Sequence, residues 1–190
     1  MIAPYITALA ALLGSIPALL GVLITARTQT ANQKLNNQTQ AKLAQDKARN
    51  DALTAQREAT LSNLAVAHKI LSQIAREFSV TGLNIMWTAS MPVDEFNKKY
   101  LLLCEKTDEL LMIVDFHAPA ASEAAHELYG QMNMFWGNFK NLLYQTEKGK
   151  TPSELQHVLD QTHEAARQIG DRARFAKYRL SEVFKSQIPE

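Results

Sequence analysis

Residues 1–26 read MIAPYITALAALLGSIPALLGVLITA and contain no charged side chain. At about 1.5 Å of rise per residue, a helix of this length covers the roughly 30 Å hydrocarbon core of a bilayer with some tilt. Large aliphatic residues recur along it with alternating spacings of four and three residues, as a lipid-facing stripe requires. These residues are Ile2, Ile6, Leu9, Leu13, Ile16, Leu20 and Leu23. The stretch therefore predicts a transmembrane helix.

A second stripe of the same helix consists only of small residues. It follows the same spacing and is offset from the large stripe by about 200° around the helix. Its members, which we call the membrane seam, are Thr7, Ala11, Gly14, Ala18, Gly21 and Thr25. Small residues let neighbouring backbones approach closely in lipid, so the membrane seam predicts association of several copies and favours a pore.

A secretory signal peptide is the alternative for this segment, because residues 24–26 resemble a cleavage site. The basic n-region is missing and the apolar run is longer than a usual h-region, which favours the membrane helix. Basic residues follow the span, and Arg27, Lys34 and Lys42 are expected to contact lipid headgroups. The positive-inside rule then predicts a single-pass protein of the inner (cytoplasmic) membrane, with its N-terminus outside and its C-terminal domain in the cytoplasm.

Residues 27–58 predict a helical stalk or coiled coil. Up to about Asp51 they are rich in Gln, Asn, Thr, Lys and Ala, which cannot build a globular core. The four-three spacing is nevertheless present in a set of alanines, which we call the stalk seam: Ala48, Ala52, Ala55 and Ala59. We expect neighbouring chains to stabilise this stalk, since an alanine seam buries little area. A solvated linker is the alternative.

Residues 59–190 predict a cytoplasmic helical bundle, because the apolar content rises and no alternating β-branched run occurs in the chain. The long helix is expected to break near residues 88–92. Three further helices follow: one over residues 93–116, one ending at Gly149, and one starting at the capping box of residues 151–154. Four long amphipathic segments with short connections favour an antiparallel four-helix bundle, so the fold class is all-α.

The core faces of these helices follow from the same spacing. The second helix is expected to bury Val93, Phe96, Tyr100, Leu103, Leu110 and Val114. The third is expected to bury Ala121, Ala125, Leu128, Met132, Phe135, Phe139, Leu142 and Thr146. The fourth is expected to bury Leu155, Leu159, Thr162, Ala166, Ile169, Ala173, Ala176, Leu180 and Val183.

Two Glu-x-x-His motifs are the strongest candidates for chemistry, Glu123 with His126 and Glu154 with His157. A pair of such motifs in a four-helix bundle resembles the site of di-iron carboxylate proteins. Both motifs begin consecutive helices, however, and antiparallel packing places them at opposite ends of the bundle. The core spacing also leaves them near the solvent face. We therefore expect no metal and no cofactor.

No enzyme class is indicated. An RNase of the HEPN class needs an Arg followed within about six residues by a His, and that order does not occur. Cys104 lies next to a core position of a predicted helix, and its single thiol fits a reducing compartment. There is no Gly-rich phosphate loop, serine nucleophile elbow or zinc spacing. We therefore expect no catalytic residue.

Charge is unevenly distributed along the chain, which is basic, then acidic, then basic. Residues 93–164 hold twelve carboxylates against six Lys or Arg, whereas residues 165–190 hold six Lys or Arg against three carboxylates. The basic fourth helix, with Phe175 and Tyr178, raises the alternative of nucleic-acid binding. We favour a structural role in which its cations pair with the acidic second helix at Glu105, Asp108 and Glu109, so nucleic acid is not an expected partner.

Two functions of different classes fit this layout. In the first, the spans of a homo-oligomer form or perturb a membrane pore under control of the cytoplasmic bundle. In the second, the span is a tether and the bundle is an adaptor for a cytosolic protein partner. The layout resembles that of single-span bacterial effector proteins that damage the host membrane during phage defence. The continuous small-residue face favours the pore, because a tether does not need one.

Overall fold

The computed structural model describes residues 3–187, with side-chain positions from Leu20 onward. The described residues are all-α, with five α-helices: α1 (Ala3–Glu77), α2 (Val80–Thr88), α3 (Val93–His117), α4 (Ser122–Glu147) and α5 (Gln156–Ser186). A single 3-10 turn, Pro119–Ala121, joins α3 to α4. The prediction of an all-α helical chain with a long N-terminal helix is confirmed. The chain divides into two compact units, Met1–Ala55 and Gln56–Glu190.

The first unit is a single helical segment. Every side chain from Leu20 to Ala55 is exposed. Thr25 and Thr39 donate their hydroxyl hydrogens to the carbonyls four residues earlier, at 2.8 and 2.9 Å, so these polar groups are satisfied within the helix. Within residues 20–187, no helix is both long and apolar enough to cross a membrane. Most of the predicted span, residues 1–19, lies outside the described side chains.

In the second unit, side-chain bonds show that neighbouring helices run in opposite directions. Asn63 of α1 bonds to His117 at the end of α3 at 2.8 Å, while Gln73 of α1 accepts a bond from Lys106 at 3.1 Å. As the residue number rises along α1, its partner's number on α3 therefore falls. This arrangement lets one long strip of α1 face one long strip of α3.

The same antiparallel relation holds between α3 and α4. Tyr100 donates to Asn133 Oδ1 at 2.6 Å, and the indole of Trp136 donates to Asn97 Oδ1 at 2.9 Å. The α4 and α5 helices approach each other over more of their backbone than α3 and α4 do, and Ala124, Ala125, Ala165, Ala166 and Ala173 are all buried. Small side chains at this contact allow the two helices to lie close together.

Aromatic side chains fill the centre of the bundle. Phe78 packs edge-on against Phe135, with ring centroids 5.1 Å apart, and Phe96 packs edge-on against Phe139 at 4.8 Å. All four are buried. Burying one such side chain contributes about 1.5–3 kcal/mol, so this cluster is a main source of the bundle's stability.

The predicted core faces of α3, α4 and α5 are largely confirmed. The six predicted positions of α4 from Ala125 to Leu142 are buried, and so is Ala121 just before it. Val93 of α3, Thr146 of α4, and Leu159 and Val183 of α5 are only partly buried. On α3 the sequence missed Thr107, which is buried and whose hydroxyl is satisfied by donating to the Leu103 carbonyl at 2.7 Å.

The break predicted near residues 88–92 is present between α2 and α3, but the sequence missed an earlier break. We expected the long helix to continue to residues 88–92, but α1 ends at Glu77 and a separate helix, α2, follows. Ser79 causes this break, because its side chain accepts a hydrogen bond from the backbone N–H of Gly82 at 3.0 Å and so caps α2. The chain turns tightly here, and a Cβ on Gly82 would lie 2.9 Å from the Glu77 carbonyl oxygen.

The predicted start of the last helix was also displaced. Residues 152–155 form a turn, and α5 begins at Gln156. Only half of the capping box forms: Glu154 accepts a bond from the backbone N–H of Thr151 at 2.8 Å. The Thr151 hydroxyl donates to the same carboxylate at 2.7 Å, and the backbone N–H of Glu154 donates to the Thr151 carbonyl rather than to the hydroxyl.

Candidate assembly surfaces

The membrane seam lies mostly outside the described side chains. Of its members, Thr7, Ala11, Gly14 and Ala18 lie outside, whereas Gly21 and Thr25 are described and exposed. The Thr25 hydroxyl bonds to the Gly21 carbonyl at 2.8 Å. A Cβ built on Gly21 meets no atom within 4 Å. No described contact within one chain therefore requires glycine at this position.

The stalk seam is uncovered in the single chain, since Ala48, Ala52, Ala55 and Ala59 are all exposed. The larger stalk side chains are exposed as well, with 63% of Leu35, 63% of Leu43 and 55% of Leu53 accessible to solvent. The three cations expected at lipid headgroups, Arg27, Lys34 and Lys42, are exposed and form no ion pair with other described residues.

The two Glu-x-x-His motifs are not brought together. Arg172 of α5 contacts Glu127 of α4 at 2.9 Å, which places the start of α4 beside the middle of α5. His157 lies 15 residues before Arg172, about 22 Å along the helix axis. His126 and His157 are exposed, and the described residues contain no group of three potential metal ligands.

Cys104 is half-buried at the α3–α4 contact. It lies next to Tyr100, whose ring stacks on Trp136 with centroids 5.5 Å apart. Burial is the main cause that raises the pKa of Tyr100, and a hydrogen bond with Cys104 adds to it. These contacts assign Cys104 to packing rather than to an activated thiol.

The predicted ion pairs between the fourth and second helices were wrong. The α5 cations that do form ion pairs pair within α5, as Arg167 does with Glu164 and Arg179 with Glu182, or with α4, as Arg172 does. The reason is topological. The α4 helix contacts both α3 and α5, so it separates one flank of α5 from α3.

The outward side of α3 carries a surface that the sequence interpretation missed, which we call the acidic face. Its members are Leu101, Leu102, Glu105, Asp108, Glu109 and Met112, all exposed. The three apolar members expose 62%, 60% and 56% of their surface, and the neighbouring Phe116 exposes 80%. None of the three carboxylates forms an ion pair with a described residue. The sequence could have predicted that these residues are exposed, because they fall between the predicted core positions of α3.

The outward side of α5 carries charges of both signs, since Asp171 and Glu182 are exposed there and pair with Arg174 and Arg179. We call its cationic and aromatic residues the basic face. Its members are Arg174, Phe175, Lys177, Tyr178 and Lys185. Phe175 exposes 46% and Tyr178 56% of their surface, and the Arg179 guanidinium lies 5.0 Å from the Phe175 ring centre. Burial lowers the pKa of Lys177, which is only partly exposed. Lys177 and Lys185 form no ion pair within the described part of the chain.

An open apolar groove of about 460 Å³ lies between α1 and α5. Its lining includes Leu64, His68, Leu180 and Phe184. Leu64 and Leu180 form its floor, since both are buried, whereas 43% of Phe184 is exposed at its edge.

Comparisons of this chain with protein-family models, with curated proteins and with solved structures find no match.

Proposed function

We propose that this chain is a single-span protein of the bacterial inner membrane that acts as a homo-oligomeric effector. In this proposal the N-terminal span is followed by a helical stalk and an antiparallel four-helix bundle. The spans of several copies associate through the membrane seam and form or perturb a pore. The cytoplasmic bundle controls this assembly.

The observation that carries the proposal is the complete exposure of the first unit from Leu20 to Ala55. A helix without tertiary contacts gains little stability from propensity alone, so long helices in proteins normally pack an apolar face against something. The described chain offers no such partner to this segment. Lipid around the uncharged N-terminal run and other copies around the stalk would supply the missing contacts.

The small size of the seam residues favours other copies over lipid alone. Gly21 meets no atom of its own chain that would exclude a side chain. In lipid, the free energy of helix association comes mainly from van der Waals contact between closely approaching backbones. A glycine on an open helix face lets the backbone of a neighbouring copy approach closely enough to make that contact.

The molecular mass of the full-length protein in detergent tests the proposal. We expect several copies per particle, and Ala52→Glu with Ala55→Glu should reduce that number. Asn50→Glu with Thr54→Glu is the matched control, because each of these residues lies two positions from Ala52 and about 200° around the helix. A monomeric wild-type protein would remove the pore.

A tethered adaptor is the second candidate function. The observation that favours it is the open groove between α1 and α5, whose apolar floor of Leu64 and Leu180 would accept an amphipathic helix of a cytosolic protein. Replacing Ala65, at the groove edge, with Glu should then abolish partner binding without changing the mass of the detergent-solubilised particle.

A further inference from the structure

We propose that the bundles of neighbouring copies associate head to tail, with the acidic face of one copy against the basic face of the next. The occupant of each face is thus a second copy of this chain. The choice of this occupant rests on the homo-oligomer proposed above, whereas the surfaces themselves lie wholly within the second unit.

The composition of the acidic face calls for a partner that is both apolar and cationic. Leu101, Leu102 and Met112 are each more than half exposed, and Glu105, Asp108 and Glu109 lie among them on the same side of α3. These carboxylates form no ion pair with the described residues. A second acidic face would add like charges at close range, so α3 is poorly suited to pair with α3 of another copy.

The basic face has the complementary composition. Phe175 and Tyr178 offer exposed ring surface, and Lys177 and Lys185 offer ammonium groups without an ion pair in the described chain. Arg174 contacts Asp171 only at 3.4 Å, and both side chains are well exposed. A carboxylate from another copy can therefore reach these cations without breaking a buried bond.

The positions of the two helices in the bundle make the contact heterologous. Both α1 and α4 lie beside α3, and both also lie beside α5, so the outward sides of α3 and α5 point away from each other. Each copy therefore has one face of each kind on opposite sides. Contacts of this type join copies into rings when the rotation closes and into open rows when it does not.

The heights of the two faces match over residues 174–178, whereas Lys185, thirteen residues after Arg172, lies about 20 Å further along α5. Asn133 of α4 is level with Tyr100 of α3, so Glu127, six residues earlier on the antiparallel α4, is level with about residue 106 of α3. Glu127 in turn contacts Arg172 of α5. The carboxylates near residue 106 thus lie at about the level of residues 172–177 of α5. A sideways shift of one copy, without inversion, brings the two faces together.

A sideways shift keeps every copy in the same orientation. Copies anchored in one membrane share that orientation, because all their spans cross in the same direction. The head-to-tail contact therefore requires no copy to be inverted, which the proposed anchor would forbid.

Disulfide crosslinking of the full-length protein tests this proposal. Two chains are co-expressed in a Cys104→Ser background, one with Met112→Cys and the other with Tyr178→Cys. We expect an oxidised dimer from the mixture and none from either chain alone. A dimer from the Met112→Cys chain alone, or no dimer from the mixture, would overturn the proposal.

Charge exchange provides a second, independent readout on exposed residues. Glu105→Lys with Asp108→Lys and Glu109→Lys should reduce the crosslink yield at least several-fold, and so should Arg174→Glu with Lys177→Glu and Lys185→Glu. Combining all six changes in both chains should restore it. A yield that charge reversal leaves unchanged, or that the exchange does not restore, would contradict the proposal.

Failure of the head-to-tail contact and failure of the proposed homo-oligomer give different experimental results. If the head-to-tail contact is wrong but the pore is right, the detergent particle keeps its mass while the crosslink is absent. If the homo-oligomer itself is wrong, the wild-type particle is monomeric.

Discussion

Asn63 Nδ2 lies 2.8 Å from Nε2 of His117, and this hydrogen bond joins α1 to the C-terminal end of α3. An amide nitrogen can only donate, so Nε2 accepts this bond. The other ring nitrogen, Nδ1, lies 3.3 Å from the Thr60 hydroxyl. Both ring nitrogens of a half-buried histidine are therefore bonded to α1.

We expect Asn63→Ala and His117→Ala each to lower the free energy of unfolding by about 1–2 kcal/mol, because each leaves a partly buried polar group without its bond. The double variant should lose less than the sum, by about 0.5–1.5 kcal/mol. Chemical denaturation of the four proteins measures this coupling. The exposed Gln73–Lys106 pair is the control, with coupling below about 0.5 kcal/mol; strict additivity at Asn63 and His117 would show that their bond contributes nothing.

Gly82 allows the tight turn between α1 and α2. A Cβ there would lie 2.9 Å from the carbonyl oxygen of Glu77 and 3.2 Å from that of Arg76, so backbone has to move. We expect Gly82→Ala to lower the unfolding midpoint, at a cost of about 1–3 kcal/mol, although alanine favours helix. Gly130→Ala in α4 meets no atom within 4 Å and should stabilise by up to about 1 kcal/mol. Equal shifts for both variants would refute the steric explanation.

Glu154 gives the bundle a pH-dependent contribution. The backbone N–H of Thr151 is the main cause that lowers the pKa of this carboxyl below its ordinary value of 4.5, and the Thr151 hydroxyl adds to it. A carboxyl with a lowered folded-state pKa stabilises the fold above its unfolded value, and this stabilisation is lost as the pH falls through the folded value.

Glu154→Gln should therefore flatten the loss of stability between about pH 5 and pH 3, measured by denaturation across that range. Thr151→Ala keeps the backbone donor and should retain most of the wild-type slope. If the free energy of unfolding fell equally for wild type and Glu154→Gln as the pH is lowered, this role would be contradicted.

The sequence predicted α4 well and the first break poorly, for a physical reason. From Ala125 to Leu142 one unbroken spacing matches one continuous helix, so burial follows from the pattern alone. Phe78 and Leu83 are five residues apart, so the four-three spacing is interrupted where Ser79 caps α2 and Gly82 allows a tight turn. The turn requires the backbone at Gly82 to lie against the carbonyls at the end of α1. The spacing of apolar residues carries no information about such a backbone contact.

The candidate surfaces show the same limit. The charges of α3 and α5 were visible in the sequence and led to the wrong prediction that they pair within one chain. They do not pair, because α4 contacts both helices and separates one flank of α5 from α3. The exposure of Leu101 and Met112 could have been predicted, since both fall outside the core spacing.

The proposed topology places the bundle in the cytoplasm. Cys104 is half-buried, so its failure to react would not separate burial from location. We therefore place the probe at Ser153, which is exposed, as Ser153→Cys in a Cys104→Ser background. A membrane-impermeant thiol reagent should label it only after lysis, whereas Ala3→Cys in the same background should react in intact cells. Labelling of position 153 in intact cells would reverse the orientation.

The proposed pore depends on close contact of the spans at the membrane seam. Large side chains in place of the seam glycines should therefore separate the helices. Gly14→Leu with Gly21→Leu keeps the segment hydrophobic enough to insert but removes close backbone contact. Leu13→Ala with Leu20→Ala, on the opposite stripe, is the matched control.

The most direct measurement is leakage of the membrane on overexpression, recorded together with the mass of the detergent-solubilised particle. We expect the glycine variant to stay in the membrane fraction but to lose both the high-mass particle and the leakage, while the leucine control keeps both. Leakage that persists in the glycine variant would contradict the pore.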